Sequence, residues 1–353
     1  MKNLRVAFII TLLLAIVAIV LVMNNRKGTM RQRNNEFAVN DTSNITKIFL
    51  ADKMNHTVKL ERVAGGDWKV NEKYAASGDA VNIMLRTLIA LDVKAPVAKA
   101  ARNNMIRLMA AKSVKVEVYQ WVYRIDLFNW IKLFPHEKRT KTYYVGDATQ
   151  DNLGTFMLMD GSEDPFVVFI PGFRGFVATR YTPIETDWRD HSIFNCKLPD
   201  IKQVSVQYSD VPQNSFSITN SDNRNFILTL LTANTTLQDF DTIKVIQYLG
   251  SFHKVNFEAF IDLDKKQYDS IVESIPTVII SLDDKAGKRF VLKAWRRKAD
   301  PGETDLEGNP VNWDRDRMYA QIEGTKDLIS IQYFVFDRIL KPITWFTDKS
   351  PIN

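Results

Sequence analysis

One stretch near the start of the chain is apolar almost without interruption. Residues 6–23 contain a single polar side chain, Thr11. Eighteen helical residues at a rise of about 1.5 Å each reach roughly 27 Å, close to the hydrocarbon thickness of a bilayer. The run exceeds the usual apolar core of a signal peptide, and no small-residue cleavage site follows it. The pattern predicts a retained transmembrane anchor, with residues 1–25 as tail and anchor; a buried core helix is the alternative.

Basic residues flank this run on both sides and bear on its orientation. They are Lys2 and Arg5 before the run, and Arg26, Lys27, Arg31 and Arg33 after it. The positive-inside rule alone would keep the body in the cytoplasm, but long domains can be translocated largely regardless of charge. We therefore expect a single-pass inner-membrane protein with an exported, periplasmic body, and a cytosolic body is the alternative.

The pattern changes after residue 45. Residues 26–45 are basic and polar without periodicity, which predicts a juxtamembrane tether before a body that begins at Thr46. Apolar positions at helical spacing predict helices over residues 79–91, capped by Asp79, and over residues 98–110. Strand-like runs in the first half of the body cover residues 47–51, 57–62, 68–71, 114–119, 141–146, 155–159 and 166–170.

The same order of elements recurs in the second half of the body. Helical patterns cover residues 242–252 and 265–274. Strand patterns cover residues 201–208, 215–219, 226–230, 277–281, 290–294, 317–322 and 329–334. Because strands group with strands and helices with helices, the pattern predicts an α+β class with antiparallel sheets. The recurrence predicts an internal duplication, with similar sheet-plus-helices domains at residues 46–185 and 186–353.

The formal net charge of +6 does not indicate nucleic-acid binding. Residues 1–33 carry six of the 47 basic residues and no acidic residue, so 41 basic and 41 acidic residues remain in the rest of the chain. The excess charge therefore lies beside the predicted anchor, where it suits anionic lipid headgroups. The single cysteine, Cys196, cannot form an internal disulfide and is compatible with either compartment.

An aromatic segment at residues 121–140 carries the sharpest interaction hypothesis. Its spacing predicts a short amphipathic helix over residues 127–134, with Asp126, Asn129 and Lys132 on the polar side. A hairpin tip folded onto the core is the alternative. The candidate contact residues, for a membrane interface or for a partner groove, are Trp121, Phe128, Trp130 and Phe134.

An arginine-bearing segment follows the first set of strands. Glycines at 172 and 175 allow close backbone approach, and Arg174, Arg180 and Arg189 supply positive charge. This combination fits an anionic ligand or partner. The alternative is an interdomain turn whose arginines tie the two halves together through carboxylates.

No motif identifies a reaction. The loop of Asp305, Glu307, Asn309 and Asp316 resembles a calcium loop, but Pro310 lies where glycine is needed, so we expect a solvated hairpin loop. Nucleotide-binding and nucleophile motifs are missing from the sequence. We predict no catalytic residue, metal or cofactor. The histidines are scattered and follow no zinc pattern: His56, His136, His191 and His253.

Several segments resemble the bacterial membrane-anchored proteins grouped as domain of unknown function 4340. The more specific ones are residues 170–176 (Ile-Pro-Gly-Phe-Arg-Gly-Phe) and the Trp188-Arg189 pair; weaker ones include residues 144–147 and 154–158. The resemblance implies a single amino-terminal helix and an exported body without established activity. It also implies, in some relatives, association with auxiliary parts of ABC transport systems.

Together these observations favour a membrane-anchored envelope protein that binds or scaffolds other components of a membrane complex. We expect the lipid bilayer and other membrane-complex proteins as its partners. The alternative is an anchored hydrolase that acts on cell-wall or surface polysaccharide through a pair of carboxylates.

Overall fold

The structure is a computed structural model that describes residues 10–15, 17–18, 36–127, 130–305 and 307–347. The chain divides into two compact units, Met1–Asp190 and His191–Asn353. Each unit has a nine-stranded sheet in which neighbouring strands are antiparallel, with helices alongside. This confirms the predicted α+β class with antiparallel sheets.

The predicted anchor falls mostly outside the described residues. Residues 10–15 and 17–18 are helical. In the described part of the chain, no helix has both the length and the apolar character that crossing a membrane requires.

The first sheet has the strand order β4-β3-β2-β1-β6-β7-β8-β9-β5. Its strands are β1 (Ile45–Ala51), β2 (Thr57–Arg62), β3 (Trp68–Val70), β4 (Tyr74–Ala75), β5 (Asp92–Pro96), β6 (Val114–Leu127), β7 (Ile131–Ala148), β8 (Thr155–Met159) and β9 (Phe166–Phe169). Helix α1 (Gly78–Ala90) follows β4, and helix α2 (Lys99–Lys112) follows β5.

The second sheet has the order β14-β13-β12-β11-β17-β18-β19-β20-β16. Its strands are β11 (Ile201–Tyr208), β12 (Phe216–Asn220), β13 (Phe226–Leu230), β14 (Thr235–Leu237), β16 (Ala259–Ile261), β17 (Val278–Asp284), β18 (Arg289–Lys298), β19 (Trp313–Ile322) and β20 (Leu328–Gln332). A separate pair joins β10 (Ser192–Phe194) to β15 (Val255–Asn256). The helices are α3 (Thr242–Gly250), α4 (Lys265–Val272), α5 (Tyr333–Phe336) and α6 (Thr344–Thr347).

The two sheets have the same topology when their strands are counted in chain order. They also share a register shift at the equivalent place. In β1 it lies between Ile45 and Lys47 where the strand pairs with β6, and in β11 it lies between Ile201 and Gln203 where the strand pairs with β17. Because a β-bulge marks a specific position in a ladder, this agreement fits the predicted duplication better than strand order alone does.

Equivalent central strands also bury equivalent side chains. Ile48 of β1 faces Val118 of β6, and Val204 of β11 faces Leu282 of β17. All four are fully buried. The alternation of apolar and polar residues in these strands follows from one face lying against the core.

Two local predictions need correction. Helix α1 is capped by Ser77, whose side chain accepts a hydrogen bond from the backbone N–H of Ala80, and Asp79 lies inside the first turn. The packed body also begins earlier than predicted. Phe37 and Val39, placed in the tether by their polar surroundings, are buried in the core of the first unit.

Candidate functional site

Strands β6 and β7 form a hairpin that runs well past the rest of the first sheet. Pairing of β1 with β6 reaches Gln120, which faces Ile45, and pairing of β8 with β7 reaches Tyr143. Beyond Gln120 the described ladder joins residues 121–127 to residues 131–137. Seven residues at about 3.4 Å each give an arm about 24 Å long beyond the rest of the ladder. We call residues 121–127 and 130–137 the hairpin arm.

The predicted amphipathic helix at residues 127–134 is therefore wrong. Ile131 to Phe134 belong to β7, and Leu127 ends β6. The tip is not folded onto the core: Trp130 is 91% exposed and Phe134 is 65% exposed. Phe128, the remaining tip aromatic among the candidate residues, lies outside the described residues.

The hairpin arm is amphipathic as a ribbon. Directly paired residues of an antiparallel ladder point to the same face, and alternate residues point to opposite faces. One face is apolar except for Glu137 at its root, and it carries Trp121, Tyr123, Ile125, Ile131, Leu133 and Pro135. The other face is mainly polar and basic and carries Val122, Arg124, Lys132, Phe134 and His136, followed at its base by Lys138. This period of two is hard to recognise in the sequence, because the spacing of Leu127, Ile131 and Phe134 also fits a helix.

The apolar face is open to solvent. Trp121 is 50% exposed, Ile131 is 51% exposed and Leu133 is 46% exposed. A row of exposed apolar side chains on one face of a ribbon is a candidate contact surface for a protein or a membrane. The hairpin arm is therefore the candidate binding element.

Polar contacts fasten the base of the hairpin arm. Glu137 accepts hydrogen bonds from Thr46 Oγ1 at 2.5 Å and from Lys47 Nζ at 3.2 Å. The Thr46 hydroxyl and the Lys47 ammonium lower the pKa of the Glu137 carboxyl, although partial burial opposes them. The arm thus leaves the sheet from a fixed base.

The chain enters the body beside this base. Lys141 Nζ donates to the carbonyl oxygen of Glu36 at 2.7 Å, and Gln120 Nε2 donates to that of Asp41 at 2.8 Å. The backbone N–H of Trp121 donates to the carbonyl oxygen of Asn44 at 2.9 Å. Residues 36–44, the first described residues of the body, therefore lie along the root of the arm.

The arginine-bearing segment is a compact turn of the first unit. Arg180 Nη1 donates to Thr87 Oγ1 of α1 at 2.8 Å, and its guanidinium lies 4.6 Å from the centroid of the Phe173 ring. A side chain at Gly175, whose φ is +156°, would meet the Phe173 ring at 2.9 Å. These contacts give Arg180 and Gly175 a role in packing the turn.

The other two arginines differ from Arg180. Arg189 lies over the Tyr74 ring, with the guanidinium carbon 3.8 Å from the centroid. Arg174 is exposed to solvent. Arg174 is therefore the candidate of this group that remains best placed for an anionic partner.

The structure does not bring the arginine segment and the arm tip together. Tyr181, next to Arg180, contacts Tyr143 of β7, with the two hydroxyl oxygens 3.3 Å apart. Tyr143 is twelve residues from Ile131 along the same strand, a separation of about 40 Å. The candidate residues therefore form two separate surfaces.

A groove beside α2 is the place where the structure gathers carboxylates that sequence reasoning missed. Met105 and Met109 line it together with Asp147 and Asp151 of the segment at the end of β7. Hydrogen bonding from the Thr149 hydroxyl lowers the pKa of Asp151. Asp151 therefore lacks the raised pKa that a general acid of a hydrolase needs.

The loop that resembles a calcium site folds on itself. The Asp305 carboxylate accepts hydrogen bonds from the backbone N–H groups of Asn309 at 2.8 Å and Glu307 at 2.9 Å. Within the ranges that the structure describes, no group of His, Cys, Asp and Glu side chains is arranged to hold a metal ion.

Fold and site together define a two-unit α+β protein with an amphipathic hairpin arm on its first unit. The family model described as Domain of unknown function (DUF4340) matches residues 68–270, more than half of the chain. The chain belongs to this family, as the sequence resemblance predicts. The matched range includes both the hairpin arm and the arginine segment. No curated protein and no solved structure matches the chain.

Proposed function

We propose that this protein is a single-pass membrane protein whose exported body binds or scaffolds other components of a membrane complex. The observation that carries the binding role is the hairpin arm. A two-stranded hairpin is marginally stable in water by itself, and an exposed apolar face adds a risk of aggregation. Both disadvantages are removed when another surface covers the apolar face of the arm.

The amino-terminal residues support the anchoring part of the proposal. The helical residues Ile10, Leu12 and Leu14 are 55%, 53% and 64% exposed, so the described part of the body does not cover them. Apolar helical side chains without protein cover suit lipid. The flanking basic cluster suits anionic headgroups on one side of the bilayer.

We further infer that the two units arose by internal duplication and that the first unit then gained the arm. Identical strand order and the equivalent register shift support the duplication. The family resemblance favours an ABC-type transport complex as the setting. Binding rather than hydrolysis is the activity we propose.

Reporter fusions test the topology. Alkaline phosphatase, which needs export to become active, and green fluorescent protein, which fluoresces in the cytosol, are each fused after residue 353 of the full chain. We expect an active phosphatase and a dark fluorescent protein. A bright fluorescent protein with an inactive phosphatase would place the body in the cytosol and contradict the proposal.

A photo-crosslinking experiment tests the binding role. A photoreactive amino acid replaces Trp130 in one variant and Phe334, which is 93% exposed in the second unit, in a matched control. In native membranes we expect crosslinks to lipid or to one defined protein from position 130 and few from position 334. Equal labelling at both positions would contradict a specific contact of the arm.

A further inference from the structure

We propose that the apolar face of the hairpin arm lies in the interfacial layer of the same bilayer that holds the amino-terminal helix. The inference rests on the proposed function, because it requires the anchor to be embedded. It goes further by naming lipid as the surface that covers the arm.

The position of the arm makes this contact reachable. Residues 24–35 are the twelve residues between the apolar run and the described body, and they can extend to at most about 40 Å. The body starts beside the root of the arm, where Glu36 and Asn44 contact Lys141 and Trp121. The arm itself is about 24 Å long. A membrane that holds the helix is therefore within reach of the arm, at a high effective concentration.

The side chains of the arm suit a membrane interface. Tryptophan and tyrosine prefer the headgroup level of a bilayer, where one end of the ring is apolar and the other is hydrated. Trp121 and Tyr123 lie on the apolar face with Ile131 and Leu133. This face combines interfacial rings near the root with aliphatic side chains near the tip.

The positive charge at the root of the arm favours an anionic surface. Residues 121–137 contain two Lys or Arg and two Asp or Glu, and Lys138, Arg139 and Lys141 follow within the next four residues. Lys132 and Lys138 lie on the face opposite the apolar side chains, an arrangement that amphipathic elements at anionic membranes use. Lys132 Nζ lies 5.6 Å from the centroid of the Tyr123 ring, so its charge stays near the edge of the apolar face.

The apolar face of the arm is smaller than a whole protein interface, so a protein partner of the proposed complex would need further surface of the body, and we assign lipid as the cover of this face. Two strands about 4.8 Å apart form a ribbon about 10 Å wide, and a length of about 24 Å then gives roughly 240 Å² on one face. A stable protein interface buries about 800 Å² on each partner. A lipid contact needs no minimum buried area, because the anchor already holds the protein at the membrane.

Depth-dependent quenching in vesicles tests the proposal on the full chain. The single cysteine is removed by Cys196→Ser, and one new cysteine is introduced by Leu133→Cys on the arm, Leu14→Cys in the apolar run, or Phe334→Cys as the exposed control. Each variant carries an NBD fluorophore and is reconstituted into vesicles of phosphatidylethanolamine and phosphatidylglycerol. Doxyl-labelled lipid is the quencher.

We expect quenching by doxyl lipid at positions 14 and 133 and little at position 334. Lys132→Gln and Lys138→Gln, introduced together with the position 133 probe, should weaken the arm–membrane equilibrium about fivefold per lysine in anionic vesicles. The same changes should leave quenching at position 14 unaltered.

Three results would overturn the proposal in distinguishable ways. Quenching at position 14 with polar, unquenched emission at position 133 would reject the lipid contact and keep the anchor. A blue-shifted but unquenched probe at position 133 would show that protein, such as a second copy of the chain, covers the arm. An unquenched probe at position 14 would reject both the anchor and the contact that depends on it.

Discussion

The β6–β7 hairpin of the first unit and the β17–β18 hairpin of the second occupy the same place in two sheets of identical strand order. In the second unit, Ile201 at the start of β11 faces Asp284, and a three-residue turn follows before Lys288 pairs back. In the first unit the equivalent Ile45 faces Gln120, and the strands continue for seven more residues. The second unit shows that a sheet of this strand order forms without this extension.

The two hairpin ends also differ in chemistry. The short turn of the second unit contains Lys285 and Gly287, whose φ of +89° suits a tight turn. The arm of the first unit ends in Trp130, Ile131 and Leu133, which are all exposed. A polar tight turn serves the fold, whereas a long apolar extension serves contact with something outside the sheet. The difference separates the sheet that both units have from the arm, to which we assign the proposed binding role.

Leucine-to-alanine substitutions should separate core from arm most sharply. Leu282→Ala removes a fully buried side chain from β17, and we expect a loss of about 2–5 kcal/mol in the free energy of unfolding. Leu133→Ala, at a half-exposed position of the arm, should change it by about 0.5 kcal/mol or less. Urea unfolding of the full chain in detergent micelles measures both. A large loss for Leu133→Ala would show that the arm belongs to the packed core.

Much of this contrast could be read from the sequence, and part could not. Alternation in residues 47–51 and 114–119 predicts β1 and the start of β6, because one face of each is buried. The sequence predicts a helix in the arm because the arm's period of two emerges only when residues 121–127 are paired with residues 131–137. Short strands such as β4 and β15, with two residues each, carry too little pattern to be recognised.

The candidate site could also be predicted only in part from the sequence. Trp121, Trp130 and Phe134 stood out by composition, but their exposure depends on pairing across the hairpin. Arg180 stood out by charge, yet its partner Thr87 is 93 residues away in the chain. Burial of Phe37 in the predicted tether was also hidden, because its neighbours are polar.

Two arginine substitutions sharpen the distinction between packing and binding within the first unit. Arg180→Ala removes the hydrogen bond to Thr87 and the contact with Phe173, and we expect a loss of about 1–2 kcal/mol in unfolding free energy. Arg174→Ala, at an exposed position, should stay within about 0.5 kcal/mol of the original protein. Thermal and urea unfolding measure both variants. Equal losses would show that Arg174 also packs the turn.

Low pH should destabilise the second unit by protonating Glu258, which directly precedes the edge strand β16. Glu258 accepts two hydrogen bonds from Arg317, at 2.7 and 2.8 Å, and one each from Ser330 and Gln332. The Arg317 guanidinium is the main cause that lowers the Glu258 pKa from 4.5 to about 2, and partial burial opposes it.

Because the folded-state pKa is lowered, this stabilisation is complete above the unfolded-state pKa of about 4.5 and is lost as pH falls towards 2. The pair is partly exposed, so we expect a contribution of only about 1 kcal/mol. Stability measured from pH 6 to pH 2 should therefore fall less steeply in Glu258→Gln than in the original protein. Parallel pH profiles would contradict this role.

Replacing the arm by the short turn tests the central claim most directly. Residues 121–137 are exchanged for Lys-Ala-Gly, the sequence of residues 285–287 in the second unit, and the free energy of unfolding of the full chain is measured in detergent micelles. We expect a value within about 1 kcal/mol of the original, because the shared core remains intact. A loss of several kcal/mol, or failure to fold, would contradict the view that the arm is an addition to a complete sheet.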